Sequence, residues 1–195
     1  MHSLTRRTLT AAALALAAGA AFGSATVGQP APAFTATDTS GKTVSLADFK
    51  GKHVVLEWVN PGCPYVVKHY GSGNMQGTQR EATAKGVVWL SVNSTAPDAS
   101  DYRKPADMAA WMQQQKAAPT ATLMDADGKV GRAFGARTTP HMYIIDPAGK
   151  LVYAGAIDSN PSPRQADVAT ATNHVKVALG ANVSLARDFD RRNTT

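Results

Sequence analysis

The 195-residue sequence has a single cysteine, Cys63. No disulfide can form within the chain, and an internal dithiol pair is excluded. Charged residues make up only 17 % and aromatic residues 7 %. There is no block of one charge sign of the kind that marks a nucleic-acid surface. The basic residues are spread along the chain, and the stretch RDFDRR at 187–192 alternates in sign. Internal repeats and long linkers are also missing, and low complexity is confined to the N-terminus. What is abundant is apolar: 44 % of residues are hydrophobic, enough for one packed domain rather than a disordered chain.

The first 25 residues read as a signal peptide. MHSLTRRTLT is basic, LTAAALALAAGAAF is uncharged and apolar, and GSA at 23–25 offers small residues for cleavage. Arg6 and Arg7 form an incomplete twin-arginine signal, so general secretion competes with that route. A membrane anchor is the rival reading, but the run is Ala-rich and short for a span. Cleavage leaves a domain at 26–180 and a tail at 181–195. It also leaves 18 basic against 14 acidic residues, a net charge of +4. The expected location is periplasmic or secreted, with no stable membrane insertion after cleavage. In that oxidising setting a lone cysteine is either buried and inert or a free thiol that reacts with something else.

The mature chain alternates strand and helix signals. PAPAFTATDTSGKTVSLADFKGK (30–52) reads as an extended lead-in and a hairpin. HVVLEWV (53–59) is a β-branched apolar strand ending at the turn Asn60-Pro61-Gly62. A helix opens at Cys63 and should break at GSG (71–73), with Asn74 capping a second piece that runs to Gly86. VVWLSVN (87–93) is a strand, 105–117 a helix with proline at its start, TATLMD a strand and ADGKVGRAFGA a turn and short helix. A hairpin spans 141–157 around DPAGK, and 162–180 is predicted to close as one amphipathic helix. This order predicts an α/β fold, a central mixed sheet with helices on both faces. Chemistry in such sheets sits beyond the carboxyl ends of the strands, where Cys63 falls.

A helix N-terminus leaves backbone N–H groups free and favours an anion, so this placement should raise the thiolate fraction of Cys63. Pro64 suits the first helical position. Tyr65 could shield the sulfur, Arg137 could lie near a thiolate and Glu57 could be a buried carboxylate. Trp58, Trp89 and Trp111 read as core. His69 does not share a helical face with Cys63 and reads as a surface residue, and His141 begins a strand beside Pro140. Two or three scattered ligands make no compact metal motif, so no metal and no cofactor are expected.

These residues together resemble the thioredoxin superfamily, in its redoxin and peroxiredoxin-like branch (alkyl hydroperoxide reductase/thiol-specific antioxidant type). The resemblance spans about 26–180 and rests on PAPAF…DFKGKHVVLEWVNPGCPYV, VVWLSVN and TTPHMYIIDPAGKLVY. It implies a thioredoxin-like fold with an N-terminal β extension, a cis Thr139-Pro140 bond, a nucleophilic Cys63, and substrate contacts at Thr139, Pro140, Pro64 and Tyr65. Two departures matter. Val66 stands where a resolving cysteine would be, and Asn60 stands where peroxiredoxins carry a threonine three residues before their cysteine. The implied function is an exported thiol oxidoreductase with one nucleophilic cysteine, supported by Asn60 and Arg137. Its partner is a thiol- or disulfide-containing protein or a small thiol, with a peroxide as the other substrate class, and an external thiol completes the cycle in either case. The alternative is a non-catalytic thioredoxin-fold protein that binds a partner or a metal.

Overall fold

The computed structural model describes residues 25–181. The signal-peptide reading and the C-terminal tail lie outside the described residues, apart from Ala25 and Ala181. The strands are β1 (Thr35–Asp38), β2 (Thr43–Ser45), β3 (Val54–Trp58), β4 (Val88–Asn93), β5 (Ala121–Met124), β6 (His141–Ile145) and β7 (Leu151–Gly155). The helices are α1 (Pro64–Gly71), α2 (Asn74–Ala84), α3 (Pro105–Gln114) and α4 (Lys129–Phe134), followed by α5 over 174–181. One seven-stranded sheet runs in the order β2-β1-β5-β4-β3-β6-β7. Its centre, β3-β4-β5, is parallel, and both edges are antiparallel hairpins.

Alternation along the central strands explains why both faces are covered. Val54, Leu56 and Trp58 of β3 join Val88, Leu90 and Val92 of β4 and Tyr143 and Ile145 of β6 in one core, closed by Val130 and Phe134 of α4. Val55 joins Trp89, Met142 and Ile144 on the other face, under Val66 and Tyr70 of α1, Met75 of α2 and Met108 of α3. A strand buried on both faces carries apolar residues at most positions rather than at alternate ones, which is why β3 and β4 read as near-continuous apolar runs.

Glu57 is the exception in β3. It is fully buried between the sheet and the helices. Its Oε1 accepts from the Tyr70 hydroxyl of α1 at 2.8 Å. Its Oε2 accepts from Trp89 Nε1 at 2.7 Å, Ser91 Oγ at 3.0 Å and Gln79 Nε2 of α2 at 3.0 Å. One carboxylate thus ties β3, β4, α1 and α2 together. Burial pushes its pKa above the ordinary 4.5, while the four donors pull it back. Burial and the Glu57 charge drive the Tyr70 phenol well above its ordinary value.

Three expectations are corrected. The cap of α2 is Gly73 in the left-handed region (φ 75°), not Asn74. Glycine supplies that backbone freely. Asn74 is the first helical residue, and its Nδ2 faces His69 Nδ1 at 2.9 Å. The 105–117 helix ends at Gln114, where Lys116 turns to positive φ. The segment 162–180 is not one helix. A 3-10 turn, Gln165–Thr170, ends at the extended Ala171, and Asn173 starts α5 by accepting the Lys176 N–H at 3.0 Å. Threonine and asparagine favour such local bonds over a helix interior.

Replacing Glu57 with leucine strands four buried donors. The Glu57→Leu protein should lose on the order of 3 kcal/mol or more in urea denaturation, the cost of unpaired buried polar groups. Stability equal to wild type would show that the carboxylate does not tie the helices to the sheet.

Candidate active site

Beyond β3 the chain turns sharply. Asn60 Oδ1 accepts from Gly62 N at 2.8 Å and Asn60 O accepts from Cys63 N at 3.0 Å. Asn60 Nδ2 donates to Asp101 Oδ2 at 2.6 Å, which pins the turn to the loop before α3. Cys63 is the N-cap of α1, extended at φ −74° and ψ 126°, with Pro64 next to it. Its carbonyl accepts from Val67 N at 2.9 Å. Pro64 has no N–H to leave unpaired, and the N–H groups of Tyr65 and Val66 have no intrahelical acceptor.

The sulfur faces the loop before β6. The Thr139-Pro140 bond is cis, and Cys63 Sγ donates to Thr139 O at 2.9 Å. This contact joins segments 76 residues apart. Cys63 is partly buried and packs against the helix-side core. Val66 is fully buried in that same core. The position one turn beyond Cys63 is therefore packing, and it offers the sulfur no polar group.

A hollow of about 590 Å³ lies beside the cis-proline, lined by Tyr65, Thr139, Pro140, Ile157 and Pro161. Tyr65 is exposed at its mouth. Its floor is a polar cluster that the sequence did not disclose. Lys68, buried on α1, donates from Nζ to Asp158 Oδ2 at 2.8 Å and to Asn160 O at 2.9 Å. The pair spans 90 residues, so no local signal could reveal it.

His69 is corrected from surface to interior: it is 2 % exposed. Its Nδ1 accepts from Asn74, which leaves the proton on Nε2, 3.6 Å from Asp158 Oδ2. Burial is the largest cause that pushes its pKa down to about 4, aided by the Lys68 charge and opposed by Asp158.

The remaining candidates separate. His141 starts β6 opposite Trp58, and its ring packs at a tilt of 41° against Tyr143 with Nδ1 3.1 Å from the phenol oxygen. Burial lowers its pKa. Arg137 is exposed, and its charge acts on the Tyr143 phenol, whose pKa burial pushes up to about 12. The hydrogen bond of the sulfur goes to Thr139 rather than to Arg137. Trp58, Trp89 and Trp111 are core, as expected. Among the described residues no three of His, Cys, Asp and Glu converge on a point that could hold a metal ion.

The His69 environment sets a pH dependence. The unfolded chain takes up a proton near pH 6.5, while the folded protein resists it until about 4. Stability from this group is present above pH 6.5 and is lost as pH falls toward 4. His69→Gln should flatten the plot of thermal midpoint against pH across that window. A variant profile parallel to wild type would contradict the assignment.

Comparison with known proteins agrees with this geometry. The sequence pattern of the AhpC/TSA family matches residues 27–154. The thiol-disulfide oxidoreductase ResA of Bacillus thuringiensis is 26 % identical over 133 residues, 65 % of this chain and 67 % of the relative. A protein of Mycobacterium tuberculosis named "Putative peroxiredoxin" is 30 % identical over 145 residues, 66 % of this chain and 83 % of the relative. The thioredoxin domain of a thiol-disulfide oxidoreductase from Bacteroides vulgatus superposes with a TM-score of 0.56 at 25 % identity, covering 75 % of this chain and 98 % of that one. The chain has a thioredoxin-like fold and belongs to the AhpC/TSA family.

Proposed function

We propose that the protein is an exported thiol oxidoreductase in which Cys63 is the sole nucleophile and the resolving thiol comes from another molecule. The observation that carries the reading is the placement of Cys63 Sγ at the N-cap of α1, 2.9 Å from the carbonyl of the cis-proline loop. The thiol donates to that carbonyl at rest. Once deprotonated it can only accept, and the donors it faces are the N–H groups in the first turn of α1 that have no intrahelical acceptor. A disulfide then approaches along the hollow beside Pro140. The Cys63 thiolate attacks one sulfur, the S–S bond of the substrate breaks, and its second sulfur leaves as a thiolate.

The buried Val66 supports the external step, since the mixed disulfide has no second cysteine within the chain to attack it. Thiol-disulfide oxidoreductases among the relatives support disulfide-bearing proteins as substrates. The basic, apolar and small-residue pattern of the first 25 residues supports export.

A second reading is peroxide reduction, favoured by the family and by the name of the mycobacterial relative. In that chemistry the thiolate takes one oxygen, becomes a sulfenic acid and releases water or an alcohol. Asn60 weighs against it. Its amide is spent on Asp101 and on Gly62 N, which leaves it turned toward the loop rather than toward an incoming peroxide.

The test is the reaction of Cys63 with 2,2′-dipyridyl disulfide at pH 7, set beside free glutathione. The protein should react about tenfold faster, as an activated thiol does, and Cys63→Ser should not react. Reaction slower than glutathione would favour a non-catalytic binding protein. A gain of one oxygen on Cys63 under dilute hydrogen peroxide, faster than disulfide exchange, would favour the peroxide reading.

A further inference from the structure

Three hollows border the Cys63 turn, and they differ in charge. The one beside Gly62 holds Asp101 and Asp107 with Arg103. The one beside Tyr65 and Pro140 holds Lys68 already paired with Asp158. The third, about 360 Å³, opens between Asn60 and Thr139, the two residues whose carbonyls accept from Cys63 N and Sγ. Arg137 lines it, and no acidic residue does. None of the ion pairs among the described residues involves Arg137. Thr95 and Thr138 add hydroxyl groups to its wall.

We propose that this third cavity binds a low-molecular-weight thiol bearing a carboxylate, held by Arg137 with its sulfur directed across Thr139 to Cys63. The inference rests on the reading of Cys63 as a nucleophile and names the class of the external resolving thiol. A guanidinium offers a planar fork of donors that matches a carboxylate, and an unpaired one gives up no existing ion pair to take the ligand. The volume is that of a small-molecule site. Neither neighbouring hollow offers the same match, because in each the cation shares the cavity with acids.

The exchange balances as follows. A small thiolate attacks the Cys63 sulfur of the mixed disulfide. A new S–S bond forms, the bond from Cys63 to the client breaks, and the client sulfur leaves as a thiolate. A second small thiolate attacks the small-molecule sulfur and frees the Cys63 thiolate. One client disulfide becomes two thiolates, and two small thiols become one disulfide.

The mature protein loaded at Cys63 with a 2-pyridyl disulfide tests this directly. Release of thiopyridone is followed with glutathione, which carries carboxylates, and with cysteamine, which carries none. For wild type, the glutathione rate should saturate with concentration. In Arg137→Ala the ratio of glutathione to cysteamine rates should fall about tenfold, the scale of one lost charge-assisted hydrogen bond. Arg137→Lys, which keeps the charge but not the planar fork, should give a ratio between those of wild type and Arg137→Ala. A ratio in Arg137→Ala within about twofold of wild type would overturn the proposal while leaving Cys63 as nucleophile. Failure of wild type to form the pyridyl adduct would overturn both.

Discussion

The buried carboxylate of Glu57 is the interaction on which the placement of the site depends. It lies on the central strand β3, six residues before Cys63, and it accepts from side chains of β4, α1 and α2. A buried carboxylate with too few donors would protonate or push its surroundings apart. Four donors hold it, and in doing so they fix the angle at which α1 leaves the sheet. Tyr70, at the far end of α1, is one of them. The first turn of α1, and with it the sulfur, is therefore positioned from both ends: by Glu57 through Tyr70, and by Asn60 through the Pro61-Gly62 turn.

The sulfur meets a second rigid element in the Thr139-Pro140 loop. That loop comes from β6, which pairs directly with β3 and sets Trp58 opposite His141. The nucleophile and the loop it faces thus belong to adjacent strands. Around them the charge is uneven. Lys68 and Asp158 neutralise one another beside His69 under the hollow at Pro140. Arg137 stands alone on the other side of Thr139. The two hollows that share Thr139 therefore differ, one with a self-satisfied polar floor and one lined by an arginine outside any ion pair among the described residues.

Much of this was legible in the sequence because local physics set it. The mostly apolar runs of β3 and β4, the glycines at 71 and 73 that divide α1 from α2, and Pro64 after Cys63 are all signals of short range. The resemblance of TTPHMYIID to a cis-proline loop anticipated the bond at Pro140. What escaped depends on contacts far apart in the chain. His69 reads as a surface residue because nothing near it in sequence says that Lys68 will be buried beside it or that Asp158 will arrive there. The 162–180 segment has a helical composition, yet Asn173 finds Thr78 and the Lys176 N–H, and the helix starts later than periodicity suggests. Asn60 was legible as a turn residue, while its bond to Asp101 was not.

The central claim is that the chain encodes the first half of a thiol exchange and draws the second half from outside. Its most direct measurement is intact mass spectrometry of the protein mixed with one equivalent of a disulfide-bonded client protein, without any added thiol. The account predicts a one-to-one mixed disulfide through Cys63 that persists until a small thiol is supplied and then resolves. Full reduction of the client with no accumulated adduct, or no adduct at all on Cys63, would contradict it.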